Sequence, residues 1–169
     1  MSTPAKAKAL RVDKLSDDIL RGIGDIITRW GYLQFQLGVI IRVALRLKKA
    51  TGRVLTIGME VGVLCGVLRT ISKTDRWIKD KATRDQIKML AKDIQIAVEN
   101  RNNYAHGVFG VDTDKSPQRF SRLLVKQAEH RVSPKWEVIT PDSLKEIALE
   151  ARGLWVRAQE LTDELKKKP

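Results

Sequence analysis

Within the run "VENRNNYAHGVFG", Val98 to Gly110, six consecutive residues hold Arg101, Asn102, Asn103 and His106, the last being one of only two histidines in the chain. Arginine with histidine suits RNA cleavage without metal. Imidazole moves protons near neutral pH, and a fixed guanidinium holds the scissile phosphate and its growing charge. A metal route has little to rest on, because two histidines more than twenty residues apart and the single Cys65 supply no ligand set. No Ser-His-Asp arrangement and no phosphate-cradling glycine loop is visible, and no cofactor is implied.

The element that must position these residues is a helix from about Asp80 to His106, closed by Gly107. Its apolar stripe is Ile87, Leu90, Ala91, Ile94, Ala97 and Val98. At about 100° per residue, Arg101 falls near the middle of that stripe, with Asn102 and His106 together on the adjoining sector. A guanidinium on a buried face needs acceptors, so either a carboxylate meets it inside or the stripe opens onto a polar cleft. The second arrangement is a site for a phosphate. His106 also fits a structural role, as a cation favoured by the helix C-terminus.

Three further helices frame this one. Apolar residues at helical spacing from Ser16 to about Leu47 predict a long first helix containing Trp30. Ser16 caps it with Asp17 and Asp18 behind, and "ATG" at 50–52 closes it. A second helix is expected from about Ile57 to Ser72, with Gly58, Gly62 and Gly66 stacked on one face for close packing. "TPDSLKEIALEARGLWVRAQELTDELKKKP" reads as the closing helix, Thr140 its N-cap and Pro141 its first residue. Between the third and closing helices, about 108–139, turn formers and the runs Phe120–Val125 and Trp136–Ile139 predict a small β-hairpin. The fold class is therefore mainly α: four main helices in one domain over 15–169, behind a loose basic tail at 1–14.

Thirty-two Lys and Arg against twenty Asp and Glu give a net charge of +12, which favours a polyanionic partner, RNA or DNA before others. Arg119, Arg122, Lys126, Arg131 and Lys135 make the hairpin basic. They fit a ribbon that follows a nucleic-acid backbone, and equally a sheet edge guarded by cations. A hydrophobic fraction of 43% excludes general disorder. Cys65 within "GVLCGVL" reads as a buried structural thiol. The most apolar window, Leu55 to Leu68, holds Glu60 and is too short to span a bilayer, so no membrane partner and a cytoplasmic setting are expected.

"RNNYAH" resembles the motif of the HEPN ribonucleases, in which arginine, usually followed by a polar residue, precedes histidine by four to six intervening residues near a helix end. The likeness in layout runs over about Ser16 to Leu165: a long first helix with an internal tryptophan, a second helix, the motif-bearing third and a closing helix. It implies an antiparallel helical bundle and a homodimer in which the motifs of two subunits face each other and cut RNA without metal, often in toxins and antiviral defence. Arg101 would then bind phosphate, Asn102 orient the site and His106 transfer protons, with an antitoxin or regulatory protein as a further partner. Val108 stands where one toxin branch often has tyrosine. A non-catalytic member of the same family, binding RNA or protein, is the alternative.

Overall fold

The computed structural model describes residues 15–105, 108–112, 119–128 and 131–167, with side chains outside 99, 103, 105 and 108–137. The described elements run α1 (Asp17–Ala44), α2 (Lys49–Thr56), α3 (Val61–Ser72), α4 (Lys81–Ala105), β1 (Val108–Asp112), β2 (Arg119–Ala128), β3 (Arg131–Ile139) and α5 (Pro141–Lys167). The architecture is mainly helical.

Local capping sets the helix starts. Ser16 Oγ accepts from the Ile19 amide at 3.4 Å, with Asp17 and Asp18 in the first turn where the helix dipole favours them. Asp80 opens α4 by accepting from the amides of Ala82 and Thr83, each at 3.2 Å. At α5 the bonds are reciprocal: Thr140 Oγ1 accepts from the Ser143 amide and Ser143 Oγ from the Thr140 amide, both at 3.1 Å. Four orphan amides would otherwise face solvent at each start.

The core is built chiefly on the pairing of α1 with α5, and of α3 with α4. Along α1, Ile19, Ile26, Trp30, Leu33 and Leu37 are buried; along α5, so are Leu144, Ala148, Ala151 and Leu154. Gly22 makes the approach of α5 possible, since a Cβ there would lie 2.8 Å from Leu144 Cδ1. A polar bond crosses this core: Gln36 Nε2 donates to Thr162 Oγ1 at 2.7 Å, and Thr162 Oγ1 donates to the Ala158 carbonyl at 2.8 Å. At the surface, Arg157 donates to Asp93 at 2.8 Å between α5 and α4.

Two expectations for the helices are corrected. The first helix ends at Ala44, not near Leu47, because Arg46 takes a left-handed backbone (φ 53°) and turns the chain. "ATG" then lies inside the additional helix α2 and does not close α1. Gly52 is a contact point: a Cβ on it would meet Arg42 Cγ at 2.5 Å, so its lack of a side chain lets α2 lie against α1. The second correction concerns Gly58, Gly62 and Gly66. α3 starts at Val61, leaving Gly58 outside it in a left-handed turn (φ 78°), while a Cβ at Gly62 or Gly66 would meet nothing within 4 Å. These glycines form no packing seam.

Between α4 and α5 the backbone forms a three-stranded antiparallel sheet in the order β1-β2-β3. β1, where the sequence pattern predicts no strand, pairs Val108 with Leu123 and Asp112 with Arg119. β2 pairs Phe120 with Ile139 and Ala128 with Arg131. Ile139 is buried and ties the end of the sheet to the helical core. Gly107, expected to cap α4, lies outside the described residues, as does the tail at 1–14.

Candidate functional site: a donor-lined cleft at Arg101

Arg101 sits on α4 one turn beyond Ala97 and Val98, where the apolar stripe meets a cavity of about 290 Å³. Three helices supply its walls: Trp30 and Gln34 from α1, Glu60, Val61 and Gly62 at the start of α3, and Val98, Arg101 and Asn102 from α4. Of the two arrangements open to a guanidinium on this stripe, the structure has the polar cleft. No carboxylate makes an ion pair with Arg101 among the described residues.

The geometry within the cleft follows from how each element is held. Gln34 Nε2 donates to the Met59 carbonyl at 2.8 Å, which fixes the segment entering α3 against α1. Glu60 is the N-cap residue of α3, yet its side chain makes no capping bond and is exposed. Arg101 is half-buried and donates through Nη1 to Asn102 Oδ1 at 3.0 Å. That bond brings the two expected residues together. It leaves Arg101 Nε buried without a partner, and Trp30 Nε1 is in the same condition.

His106, expected to be the proton-transfer group, lies outside the described residues. The side chains of Arg119, Arg122, Lys126 and Arg131 do so as well. Their backbone register puts Arg122 opposite Glu137 and Arg119 opposite Asp112, so two of the four cations pair in register with a carboxylate residue. Arg119, Arg122 and Lys126 lie on β2, the central strand of the sheet, so the expected edge guarded by cations is corrected for these three, and cross-strand pairs of opposite charge account for two of them.

A basic groove that leaves no signal in the sequence pattern adjoins the cleft. It has a volume of about 410 Å³ between α1 and α2, shares Gln34 with the cleft, and is lined by Phe35, Arg42, Lys49 and Arg53 among others. Phe35 is 60% exposed, and the three cations make no ion pair among the described residues. Helical periodicity conceals this groove, since it exists only once α2 folds back on α1 at Gly52.

Cys65 is buried, and burial pushes its thiol up to about 11, which keeps it protonated and unreactive at neutral pH. Among the described residues no three His, Cys, Asp or Glu side chains gather as a metal site, and no helix is long and apolar enough to cross a membrane. What the fold and site define is a mainly helical protein with a donor-lined cleft beside a basic groove. No family model, curated protein or solved structure matches the chain.

Proposed function

We propose that the protein is a metal-independent endoribonuclease of the HEPN type, working in the cytoplasm as a toxin or defence component. The observation that carries the reading is Arg101: a half-buried guanidinium on a polar cleft, held by Asn102, with no carboxylate paired to it among the described residues. A half-buried cation kept free of a protein anion is suited to an anionic ligand. The basic groove beside it, with an exposed phenylalanine among cations, is suited to a single strand of RNA, whose phosphates meet Lys49 and Arg53 and whose bases stack on Phe35.

In the reaction, the 2′-hydroxyl oxygen attacks the adjacent phosphorus while a base takes its proton. The bond from phosphorus to the 5′ oxygen breaks, and an acid protonates that oxygen. Arg101 balances charge on the phosphoryl oxygens, and His106 transfers protons. In a homodimer two copies of His106 divide the acid and base roles. Exposed apolar side chains in the single chain, Met89 and Ile96 on α4 and Val63 on α3, support a covering partner.

Incubation of RNA with the protein in EDTA tests this. Cleavage persists, the products end in 2′,3′-cyclic phosphate, and His106→Ala and Arg101→Ala each abolish it, while a DNA strand of the same sequence is left intact. Equal RNA binding with no cleavage in EDTA replaces the enzyme with a non-catalytic RNA-binding module. Sedimentation as a monomer at micromolar concentration removes the dimer.

A further inference from the structure

Two buried N–H donors without acceptors belong to residues that line one cleft. One is Nε1 of Trp30, whose side chain is 2% exposed; the other is Nε of Arg101. They come from α1 and α4, so no single stretch of chain explains both. A third source of donors meets them at the start of α3. Because the Glu60 side chain makes no capping bond, the first-turn amides of Val61 and Gly62 have no intrahelical or capping acceptor.

Buried donors are ordinarily satisfied, and an unmet one is costly enough to require an explanation. Apolar packing alone does not need an indole at position 30, since phenylalanine fills a core as well without bringing an N–H. Glu60 is the sole carboxylate residue on the cleft among the described residues; it is exposed and makes no ion pair with Arg101. Three sources of donors on residues that line one cleft, one of them cationic and one the positive end of a helix, suit one compact acceptor with several oxygens.

We infer that the cleft binds a phosphate-type oxyanion, with Trp30 Nε1–H and Arg101 Nε–H donating to its oxygens beside the start of α3. Trp30 is thus a phosphate-binding residue of the site. The inference deepens the ribonuclease reading and rests on it for the source of the phosphate, which is the RNA backbone. Trp30 sets the depth at which the phosphate seats, and Arg101 supplies its charge.

The test uses inorganic phosphate and the full chain labelled with ¹⁵N. The indole N–H cross-peak of Trp30, assigned by through-bond correlation in the unsubstituted protein, moves saturably as phosphate is added at constant ionic strength. Chloride leaves it in place, and Arg101→Ala removes the response. Trp30→Phe weakens phosphate binding about tenfold, as loss of a hydrogen bond to a charged group does, and lowers kcat/KM on RNA by a similar factor. Assignment in the unsubstituted protein keeps the test decisive even where Trp30→Phe does not fold. A Trp30 cross-peak that stays still while phosphate binds through Arg101 overturns the inference and leaves the ribonuclease reading standing. Absence of phosphate binding, or a response unchanged in Arg101→Ala, overturns it as well. A saturable Trp30 response in a protein that cuts no RNA upholds the anion site and removes the ribonuclease.

Discussion

Replacing Arg101 with methionine should stabilise the fold while it destroys the proposed activity. The guanidinium leaves Nε buried and unpaired, and an unmet buried donor costs about 1–3 kcal/mol. Methionine keeps an unbranched chain of similar reach against Val98 and removes the donor. Against this stands the Arg101–Asn102 bond, which is exposed and worth about 1 kcal/mol, below the roughly 1.5–3 kcal/mol of a bond to a charged group because water competes for it. No helix-dipole contribution is lost, because Arg101 lies outside the last turn of α4. The balance is a gain of about 1 kcal/mol, which for a chain of this size raises Tm by about 2–4 °C. Calorimetry at neutral pH and low phosphate measures it, with RNA cleavage followed in parallel. A loss of about 1 kcal/mol or more would show that Arg101 is a structural residue whose partner the fold supplies, and the argument from a misplaced cation would collapse.

Thr162→Val removes the acceptor of the buried Gln36 amide and should cost about 1–3 kcal/mol; urea melts showing a change below about 0.5 kcal/mol would mean that Gln36 finds another acceptor. The Cys65 thiol, raised from 9.0 to about 11 by burial, makes stability fall with rising pH. Between those values the unfolded chain has released the thiol proton and the folded chain retains it, a slope of about 1.4 kcal/mol per pH unit. Cys65→Ala should flatten the decline between pH 9 and 11, and parallel slopes would count against it. For RNA binding, Lys49→Ala with Arg53→Ala should reduce the dependence of log K on log salt by about 0.7 for each single-strand phosphate no longer neutralised. If Arg119→Ala, Arg122→Ala and Lys126→Ala together reduce it and the groove pair does not, the ribbon is the RNA surface.

Helix existence was legible wherever a cap and an apolar stripe agreed. Ser16 with its two aspartates, and Thr140 ahead of Pro141, mark helix starts within a residue of where the backbone places them. The break between α1 and α2 was not legible. It depends on Arg46 holding a left-handed backbone, which arginine has no local preference to do, so tertiary packing of α2 on α1 must outweigh the propensity. Glycine misled in both directions for the same reason. Gly52 looked like a terminator and is a contact surface; Gly62 and Gly66 looked like a contact surface and face open space. A missing side chain shows that close approach is allowed there, and only the neighbour decides whether it occurs.

The site divides along a similar line. Arg101 was legible because it violates its own surroundings: a charge on an apolar stripe is a contradiction visible in one helix, and the cleft resolves it. Trp30, Gln34 and Glu60 contradict nothing locally. Trp30 belongs to the stripe of α1 and was absorbed into the core by its ring, although its N–H is the part without a partner. Gln34, one helical turn further along, reads as an ordinary boundary residue until its bond to the Met59 carbonyl shows it positioning the start of α3. Glu60 reads as an interruption of an apolar window, and it is the N-cap residue of α3. Sequence periodicity assigns a side chain to the core or to solvent as a whole, whereas the cleft depends on single polar atoms at the ends of largely apolar groups. An Arg101-type misfit therefore points from sequence to a candidate cleft, and the other residues that line it emerge only when the helices carrying them are brought together.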